Sequence, residues 1–237
     1  MSCLASTACE AVGSYINSKK VEVPLAEVWN GRKWKVQAVG NPGGATGASL
    51  SGVSCAAAGT CEAVGSFVNA STVQSSFAEA LSGSAWNPQK VPGAKGAKAS
   101  SLSGVSCAST KACEAGGSIE NASDVQVPAA AVWNGTAWVS QRVPVRAGDT
   151  ASSLAAVSCP VTTSCQAVGG SKTSAGGRSL GILWNGTAWE LQPVPSLSGA
   201  KLTDLRSVSC TAVRNCEGCG SSTSSPAGEV ALGEVEN

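Results

Sequence analysis

The stretch Leu50–Ser66 reads LSGVSCAAAGTCEAVGS, and variants of it recur along the whole chain. Its Cys-x5-Cys pair occurs five times, at Cys3/Cys9, Cys55/Cys61, Cys107/Cys113, Cys159/Cys165 and Cys210/Cys216. The first cysteines of successive pairs are 52, 52, 52 and 51 residues apart. So regular a period over a whole chain indicates supersecondary units stacked side by side.

Repeats two and three each hold four short segments with the length and composition of strands. In the third repeat they run Leu102 to Cys107, Cys113 to Ser118, Ala130 to Trp133 and Ala137 to Pro144, each bounded by Gly, Pro, Asn or Ser. No stretch has a helical period long enough to compete. Four antiparallel strands repeated in tandem predict β-propeller blades, and a solenoid of β-hairpins is the main alternative.

The turn between the third and fourth segments is the clearest local signal. It reads Trp-Asn-Gly-x-x-Trp at Trp29–Trp34, Trp133–Trp138 and Trp184–Trp189, and the second repeat keeps Gly83 and Trp86. Asn-Gly readily adopts the positive φ that a tight hairpin needs. The pattern therefore predicts a hairpin with a tryptophan on each of its two strands.

Two features resemble the kelch-type propeller blade. They are the second-strand glycine, at Gly13, Gly65, Gly117 and Gly169, and the tryptophan of the last strand. The wider pattern, V-S-C-x5-C-x-A-V-G followed by W-N-G-T-x-W, is similar to Cys-stapled propeller repeats of actinobacterial secreted proteins. The resemblance covers the whole chain and implies the fold, but it carries no functional residues across.

The sequence thus predicts an all-β chain with one propeller domain over residues 1–237. The repeats fall at about 1–49, 50–101, 102–153, 154–204 and 205–237. The first repeat lacks most of its opening strand and the fifth lacks its final tryptophan strand, so we expect about eighteen strands and an incomplete last blade. Either the natural protein is longer or the ring closes with an imperfect fifth blade.

The ten paired cysteines are expected to form local disulfides, each across the hairpin of the first two strands. Five such pairs favour an oxidising compartment, hence an extracellular or cell-surface location, although Met1 is followed at once by the first pair with no signal peptide. Reduced thiols and a metal site are the alternatives, but zinc needs four converging ligands and the chain has no histidine. We expect no metal and no cofactor.

Cys219 is the odd cysteine. It falls where other repeats have Val12, Val64 or Val168, which predicts a buried free thiol. A bond to a missing segment is the alternative.

Composition excludes some partners. The net charge is +1 with scattered basic residues, so the chain has no phosphate-binding stripe for nucleic acid. No apolar run approaches the length of a bilayer span, so we expect no membrane insertion.

The turn residues are the candidate ligand contacts, because aromatic rings stack on sugars and repeated pockets suit a multivalent lectin. Packing between blades and plain turn chemistry are the competing explanations. The candidates are Trp34, Trp86, Trp138, Trp189, Asn30, Asn134 and Asn185.

A carboxylate follows the second cysteine in four repeats, at Glu10, Glu62, Glu114 and Glu217, with Gln166 in the other. Such a series could line a channel or bind cations. Because Asp-rich oxygen-ligand loops are missing, we expect a surface position beside the disulfide instead.

Catalysis is not favoured. Without histidine the chain cannot use Ser-His-Asp or Cys-His chemistry, and it has one tyrosine and no Asp-box turn of the kind that sialidase propellers use. The leading hypothesis is an extracellular, non-enzymatic module that recognises a glycan or cell-envelope polymer through repeated blade-loop sites. A structural or protein-interaction scaffold is the alternative, and a carboxylate-dependent polysaccharide-acting enzyme the third.

Overall fold

The computed structural model describes residues 1–195, 200–224 and 228–236. Their regular elements are nineteen β-strands, arranged in five antiparallel sheets that we call blades 1–5. None of these residues belongs to a helix long and apolar enough to cross a membrane.

The blades follow the chain, and every strand pairs with its sequence neighbour. Blade 1 comprises β1 (Ser2–Ala5), β2 (Ala8–Ile16), β3 (Glu22–Trp29) and β4 (Trp34–Gln37). Blade 2 comprises β5 (Ala45–Ala57), β6 (Thr60–Asn69), β7 (Gln74–Ser82) and β8 (Ala85–Lys90). Blade 3 comprises β9 (Ala99–Ser109), β10 (Ala112–Glu120), β11 (Gln126–Trp133) and β12 (Trp138–Gln141).

Blade 4 comprises β13 (Ala151–Val161), β14 (Ser164–Thr173), β15 (Gly176–Trp184) and β16 (Trp189–Gln192). Blade 5 has the three strands β17 (Leu202–Ala212), β18 (Asn215–Ser224) and β19 (Gly228–Glu236). The all-β fold with an incomplete last blade is therefore confirmed. The strand number is one higher than expected because blade 1 has a short first strand of four residues.

Successive blades pack face to face, and the first strands of blades 2–5 contact one another in order. This contact is close: a Cβ added at Gly52 would lie 3.0 Å from the Cα of Gly104, and one at Gly104 would lie 3.2 Å from the Cα of Ala156. The first strands are thus the inner strands of the arc. Among the described residues, blade 5 and blade 1 make no comparable contact.

The second-strand glycine is required by a bulge in the inner strand. In blade 3 the register shifts so that Gly117 faces Leu102 while Gly116 faces Gly104. A Cβ at Gly117 would overlap the carbonyl oxygen of Ser101, and the same overlap recurs in blades 2, 4 and 5. The glycine therefore provides room for backbone, as is usual at bulges.

The apolar core is divided among the interfaces between blades. Each interface centres on a buried leucine of the inner strand, at Leu50, Leu102, Leu154 and Leu205. It packs against one or more small or β-branched residues of the preceding blade, such as Ala26, Val64, Ala130 or Val168. Stability therefore depends on blades stacking, because one blade alone buries little.

The V-S-C motif adds a polar link at each interface. The backbone N–H of Cys55 donates to Oγ of Ser2 at 3.0 Å, and the same bond repeats one blade further along each time. The other three pairs are Cys107 to Ser54 at 2.9 Å, Cys159 to Ser106 at 2.9 Å and Cys210 to Ser158 at 3.0 Å. One serine per repeat thus ties each inner strand to the next.

All five cysteine pairs form disulfides across the first hairpin of their blade, as expected. The second cysteine of every pair is buried. These five cysteines are Cys9, Cys61, Cys113, Cys165 and Cys216, with at most 9% of their surface exposed.

The physical reason is that the second cysteine lies on the second strand, inside the sheet. In blades 2–4 it belongs to the apolar cluster that packs against the preceding blade, and Cys61, Cys113 and Cys165 are members of three such clusters. The bridges of blades 2–4 are therefore part of the core.

Cys219 is free, also as expected, but it is exposed rather than buried. Its counterparts Val64 and Val168 are covered by the inner strand of the following blade. No described residues cover this face of blade 5, so the prediction of burial was wrong.

Candidate functional site

The second tryptophan of each turn lies in an interface between blades. Trp86, Trp138 and Trp189 are 7%, 2% and 5% exposed, whereas Trp34 is 40% exposed. The difference follows from position: blades 2–4 each have a preceding blade that covers this ring, while no described residues cover Trp34 in the same way.

Each buried indole donates a hydrogen bond to a glutamine of the preceding blade. Trp86 Nε1 donates to Gln37 Oε1 at 2.7 Å, Trp138 to Gln89 at 2.6 Å and Trp189 to Gln141 at 2.7 Å. The glutamine stands three residues after the tryptophan of its own blade, in the pattern W-x-x-Q. Packing and polar pairing therefore use most of the surface of these three rings.

The glutamines in turn bind the repeated glutamates. Gln141 Nε2 donates to Glu114 Oε1 at 3.2 Å, and Gln37 and Gln89 likewise hydrogen-bond Glu10 and Glu62. These three glutamates are buried, and the expectation of a surface position was wrong for them; only Glu217, in blade 5, is exposed. Each of these three carboxyls lies in an apolar interface and ends a hydrogen-bonded series of tryptophan, glutamine and glutamate, which we call the Trp–Gln–Glu relay.

Burial alters the acidity of these carboxyls, because an apolar interface disfavours the ionised form. It raises the pKa of Glu62 from 4.5 to about 7 and that of Glu114 to about 8, against the smaller opposing effect of the glutamine hydrogen bond. The pKa of Glu10 is also raised by burial. At neutral pH, Glu114 is therefore mainly protonated.

Glu79, also in an interface, is a further buried carboxyl. It lies on β7 among the residues that face blade 1, it is 0% exposed, and burial raises its pKa to about 7. Neither of its oxygens has a hydrogen-bond partner in the described structure. The corresponding residues of blades 3 and 4 are the apolar Ala131 and Ile182.

The turn asparagines bond to their own turns. Asn134 Oδ1 accepts from the N–H groups of Thr136 and Ala137 and from the Thr136 hydroxyl, and Asn30 and Asn185 repeat the backbone pattern. Only the glycine of the turn has positive φ, for example 88° at Gly135. Turn chemistry thus accounts for the asparagine oxygens.

A groove of about 480 Å³ opens between blades 3 and 4 beside this turn. Its lining residues are Gln141, Arg142, Pro144, Trp184, Thr187, Ala188 and Trp189. Trp184, the first tryptophan of the turn, is half-buried, and its ring centroid lies 5.6 Å from that of Trp189. The groove therefore combines an aromatic wall, a hydroxyl, a proline and one cation.

This groove contains one residue that the sequence singled out, Trp189, and adds Trp184 and Arg142. The turn pattern could have indicated Trp184, because it repeats as a pair. However, Trp184 and Trp189 are cross-strand partners on one face, and only the preceding blade decides which ring is covered. No group of three His, Cys, Asp or Glu side chains that could hold a metal occurs in the described ranges.

Neither a protein-family model nor a curated protein matches the sequence. Solved structures do resemble the fold. A mutant of the Aleuria aurantia lectin in complex with α-methyl-L-fucoside is 11% identical with a TM-score of 0.57, over 97% of this chain and 78% of that chain. The SapL1 lectin in complex with α-methyl fucoside is 12% identical with a TM-score of 0.59, over 99% and 78%.

A sialidase has the same fold. Hadza microbial sialidase Hz136 is 8% identical with a TM-score of 0.65, over 99% of this chain and 55% of the sialidase, so the chain spans about half of that enzyme. Another structure of the Aleuria aurantia lectin is described as a six-bladed β-propeller. At such identities the similarity establishes the fold: this chain is a β-propeller with repeated, disulfide-stapled blades.

Proposed function

We propose that this protein is an extracellular or cell-surface module that binds glycans or cell-envelope polymers and does not catalyse. The observation that carries the proposal is the groove between blades 3 and 4, where the half-buried Trp184 lies beside Thr187 and Pro144. An indole face stacks on the apolar face of a sugar, and a volume of this size is in the range of about 300–1,000 Å³ usual for small-molecule sites.

Three further facts support it. Solved lectins with bound fucosides share the fold. The five disulfides suit a secreted protein. The chain has no histidine, and its single tyrosine, Tyr15, is exposed on blade 1, away from the groove.

We place the sugar contact on Trp184, together with the edge of Trp189 in the groove, and retain the exposed Trp34 as a second candidate. Trp86 and Trp138 are held in interfaces by their burial and hydrogen bonds. We also retain the kelch-like, Cys-stapled repeat of actinobacterial secreted proteins as the proposed family.

The test is a broad glycan and polysaccharide array probed with the oxidised protein, Trp184→Ala, Trp138→Ala and a reduced, alkylated sample. We expect the oxidised protein to bind one class of sugar. Trp184→Ala should lose that binding while keeping its melting temperature, and Trp138→Ala should lose its fold. If the oxidised protein binds no glycan at high concentration, the proposal is wrong.

The failure of every glycan would favour the alternative, a protein-interaction scaffold. One observation supports that alternative: blade 1 exposes large apolar side chains, including Leu4, Val36 and Trp34. Pull-down with the intact protein would then be the next measurement.

A further inference from the structure

The groove between blades 3 and 4 has a single charged lining residue, Arg142. Arg142 directly follows β12, is exposed, and makes no hydrogen bond or ion pair with any part of the chain that the structure describes. An unpaired guanidinium at a groove wall is free to bind a ligand, and its planar fork matches a carboxylate in a bidentate fashion.

The groove is otherwise neutral and partly apolar. Pro144, Ala188 and Trp184 provide the apolar wall. The Thr187 hydroxyl donates to Asn185 Oδ1 at 2.7 Å, so its oxygen remains able to accept a hydrogen bond from a ligand hydroxyl. Gln141 is occupied on both sides, by Trp189 and by Glu114.

The position of Arg142 is not basic in every blade. The residue that follows the W-x-x-Q glutamine is Ala38 in blade 1, Lys90 in blade 2 and Pro193 in blade 4. The interface between blades 1 and 2 also has Leu81 in place of the first tryptophan, so it lacks both the cation and that indole.

Lys90 is the counterpart of Arg142 in blade 2, and the turn of the following blade, Trp133–Trp138, has the same sequence as Trp184–Trp189. Lys90 also lines a groove of about 480 Å³ together with Pro42, Phe67 and Phe77. An ammonium group is also a point charge without the planar fork of a guanidinium. Arg142 therefore combines a planar fork with a groove lined by an indole pair.

We propose that the groove between blades 3 and 4 selects an acidic sugar: a pyranose ring that carries a carboxylate, with the ring stacked on Trp184 and the carboxylate on Arg142. This inference rests on the proposed glycan-binding function and deepens it by naming the ligand class. Trp184 provides affinity for a sugar ring of any charge, whereas Arg142 discriminates by charge.

The experiment uses a short homogalacturonan oligosaccharide and its fully methyl-esterified form, which is the same sugar without charge. Isothermal titration is done with the wild type, Arg142→Ala, Trp184→Ala and Lys90→Ala, the last removing the matched positive charge one blade earlier. We expect Arg142→Ala to weaken binding of the acidic form at least about tenfold, as loss of a charge-assisted pair predicts. Lys90→Ala should bind nearly as the wild type does.

Each outcome separates the two proposals. Equal binding of the acidic and esterified forms, or unchanged acidic binding by Arg142→Ala, overturns the acidic-sugar inference and leaves the glycan function standing. An effect of Lys90→Ala as large as that of Arg142→Ala also overturns it, because the loss then reflects overall charge. Tighter binding of a sulfated oligosaccharide than of the uronate has the same consequence. If no sugar of any charge binds, the proposed function itself fails.

Discussion

Trp138 of blade 3 donates its indole N–H to Gln89 of blade 2 at 2.6 Å, and Gln89 in turn hydrogen-bonds the buried Glu62. The same relay runs from Trp86 through Gln37 to Glu10 and from Trp189 through Gln141 to Glu114. Every indole-mediated contact in this series therefore joins a blade to the one before it. The relay therefore places a buried carboxyl in an apolar interface.

Replacing Trp138 by Phe should destabilise the fold through the lost hydrogen bond. The ring stays apolar, but the partly buried Gln89 loses its donor, which corresponds to about 0.5–1.5 kcal/mol in the free energy of unfolding. Urea denaturation followed by circular dichroism measures the change. Trp34→Phe is the matched control and should be nearly neutral, since Trp34 is 40% exposed. Equal effects of the two substitutions would contradict the relay.

Stability should fall as pH rises from about 5 to about 9. In the folded state the pKa of Glu62 is about 7 and that of Glu114 about 8, against 4.5 for an exposed glutamate. The folded chain therefore binds more protons than the unfolded chain across this window. For each group, stability decreases by about 1.4 kcal/mol per pH unit between its two pKa values. The stabilisation from each protonated glutamate is fully present below its pKa in the unfolded chain, and it is lost as pH rises through its pKa in the folded chain.

The measurement is the melting temperature at pH 5, 7 and 9, with Cys219→Ser as the background so that no free thiolate attacks a disulfide. Glu114→Gln is the matched variant, because blade 4 naturally has Gln166 at this position. This variant should fold, and its melting temperature should fall less between pH 5 and pH 9 than that of the background protein. A slope that is unchanged in Glu114→Gln would mean that another group titrates.

The second-strand glycines offer a contrast within one motif. Gly117→Ala forces a Cβ into the carbonyl oxygen of Ser101 and to 2.7 Å from the Cα of Leu102, so backbone must move. We expect a loss of at least about 3 kcal/mol in the free energy of unfolding, at the upper end for overpacked sites. At Gly13 a Cβ meets nothing within 4 Å, and Gly13→Ala should change stability by less than about 0.5 kcal/mol. Chemical denaturation of both variants tests this directly.

The architecture could be predicted from the sequence because the repeat displays it five times. The period, the strand-like segments and the hairpin cysteines each depend on local sequence, and the structure confirms the blades and all five disulfides. The short first strand of blade 1 is a small departure. Local pattern was sufficient here because each strand pairs only with its sequence neighbours.

The wrong predictions concern which face a neighbouring blade covers. Glu62 and Val64 lie on the same face of β6, and blade 3 covers that face. The local sequence around Glu62, a polar residue next to a disulfide, did not indicate this burial. Cys219 was expected to be buried because it occupies the position of Val64 and Val168, but no described blade covers it. The W-x-x-Q and Cys-Glu patterns recur together in the first three repeats, and that pairing was the signal for the relay.

Cys219 should react with a thiol reagent in the native protein. It is exposed and free, whereas the other ten cysteines are joined in disulfides. Labelling with a maleimide at pH 7, followed by intact mass, should add one label per chain without denaturant. A thiol that reacts only after unfolding would restore the prediction of burial. Cys219→Ser should add none.

A buried hydroxyl of blade 4 lacks a partner that its counterparts have. In blade 3, Ser100 Oγ accepts from the backbone N–H of Ser76 at 2.8 Å, and in blade 5 Thr203 accepts from Ser179 at 2.9 Å. The corresponding donor position for Ser152 is Pro128, which has no N–H, and the Ser152 hydroxyl is buried without a hydrogen bond. Ser100→Ala should therefore destabilise by about 1–3 kcal/mol by orphaning a buried N–H. Ser152→Ala should be neutral or stabilising.

A double-mutant cycle between Pro128→Ala and Ser152→Ala tests the cause. Pro128→Ala supplies an N–H where the Ser76 donor lies in blade 2, so Ser152→Ala should become destabilising in that background. The effect of proline on the unfolded chain cancels in the cycle. The remaining coupling energy between positions 128 and 152 should be about 1 kcal/mol, the usual net value of one hydrogen bond. Zero coupling, measured by urea denaturation, would mean that the unpaired hydroxyl does not arise from the proline.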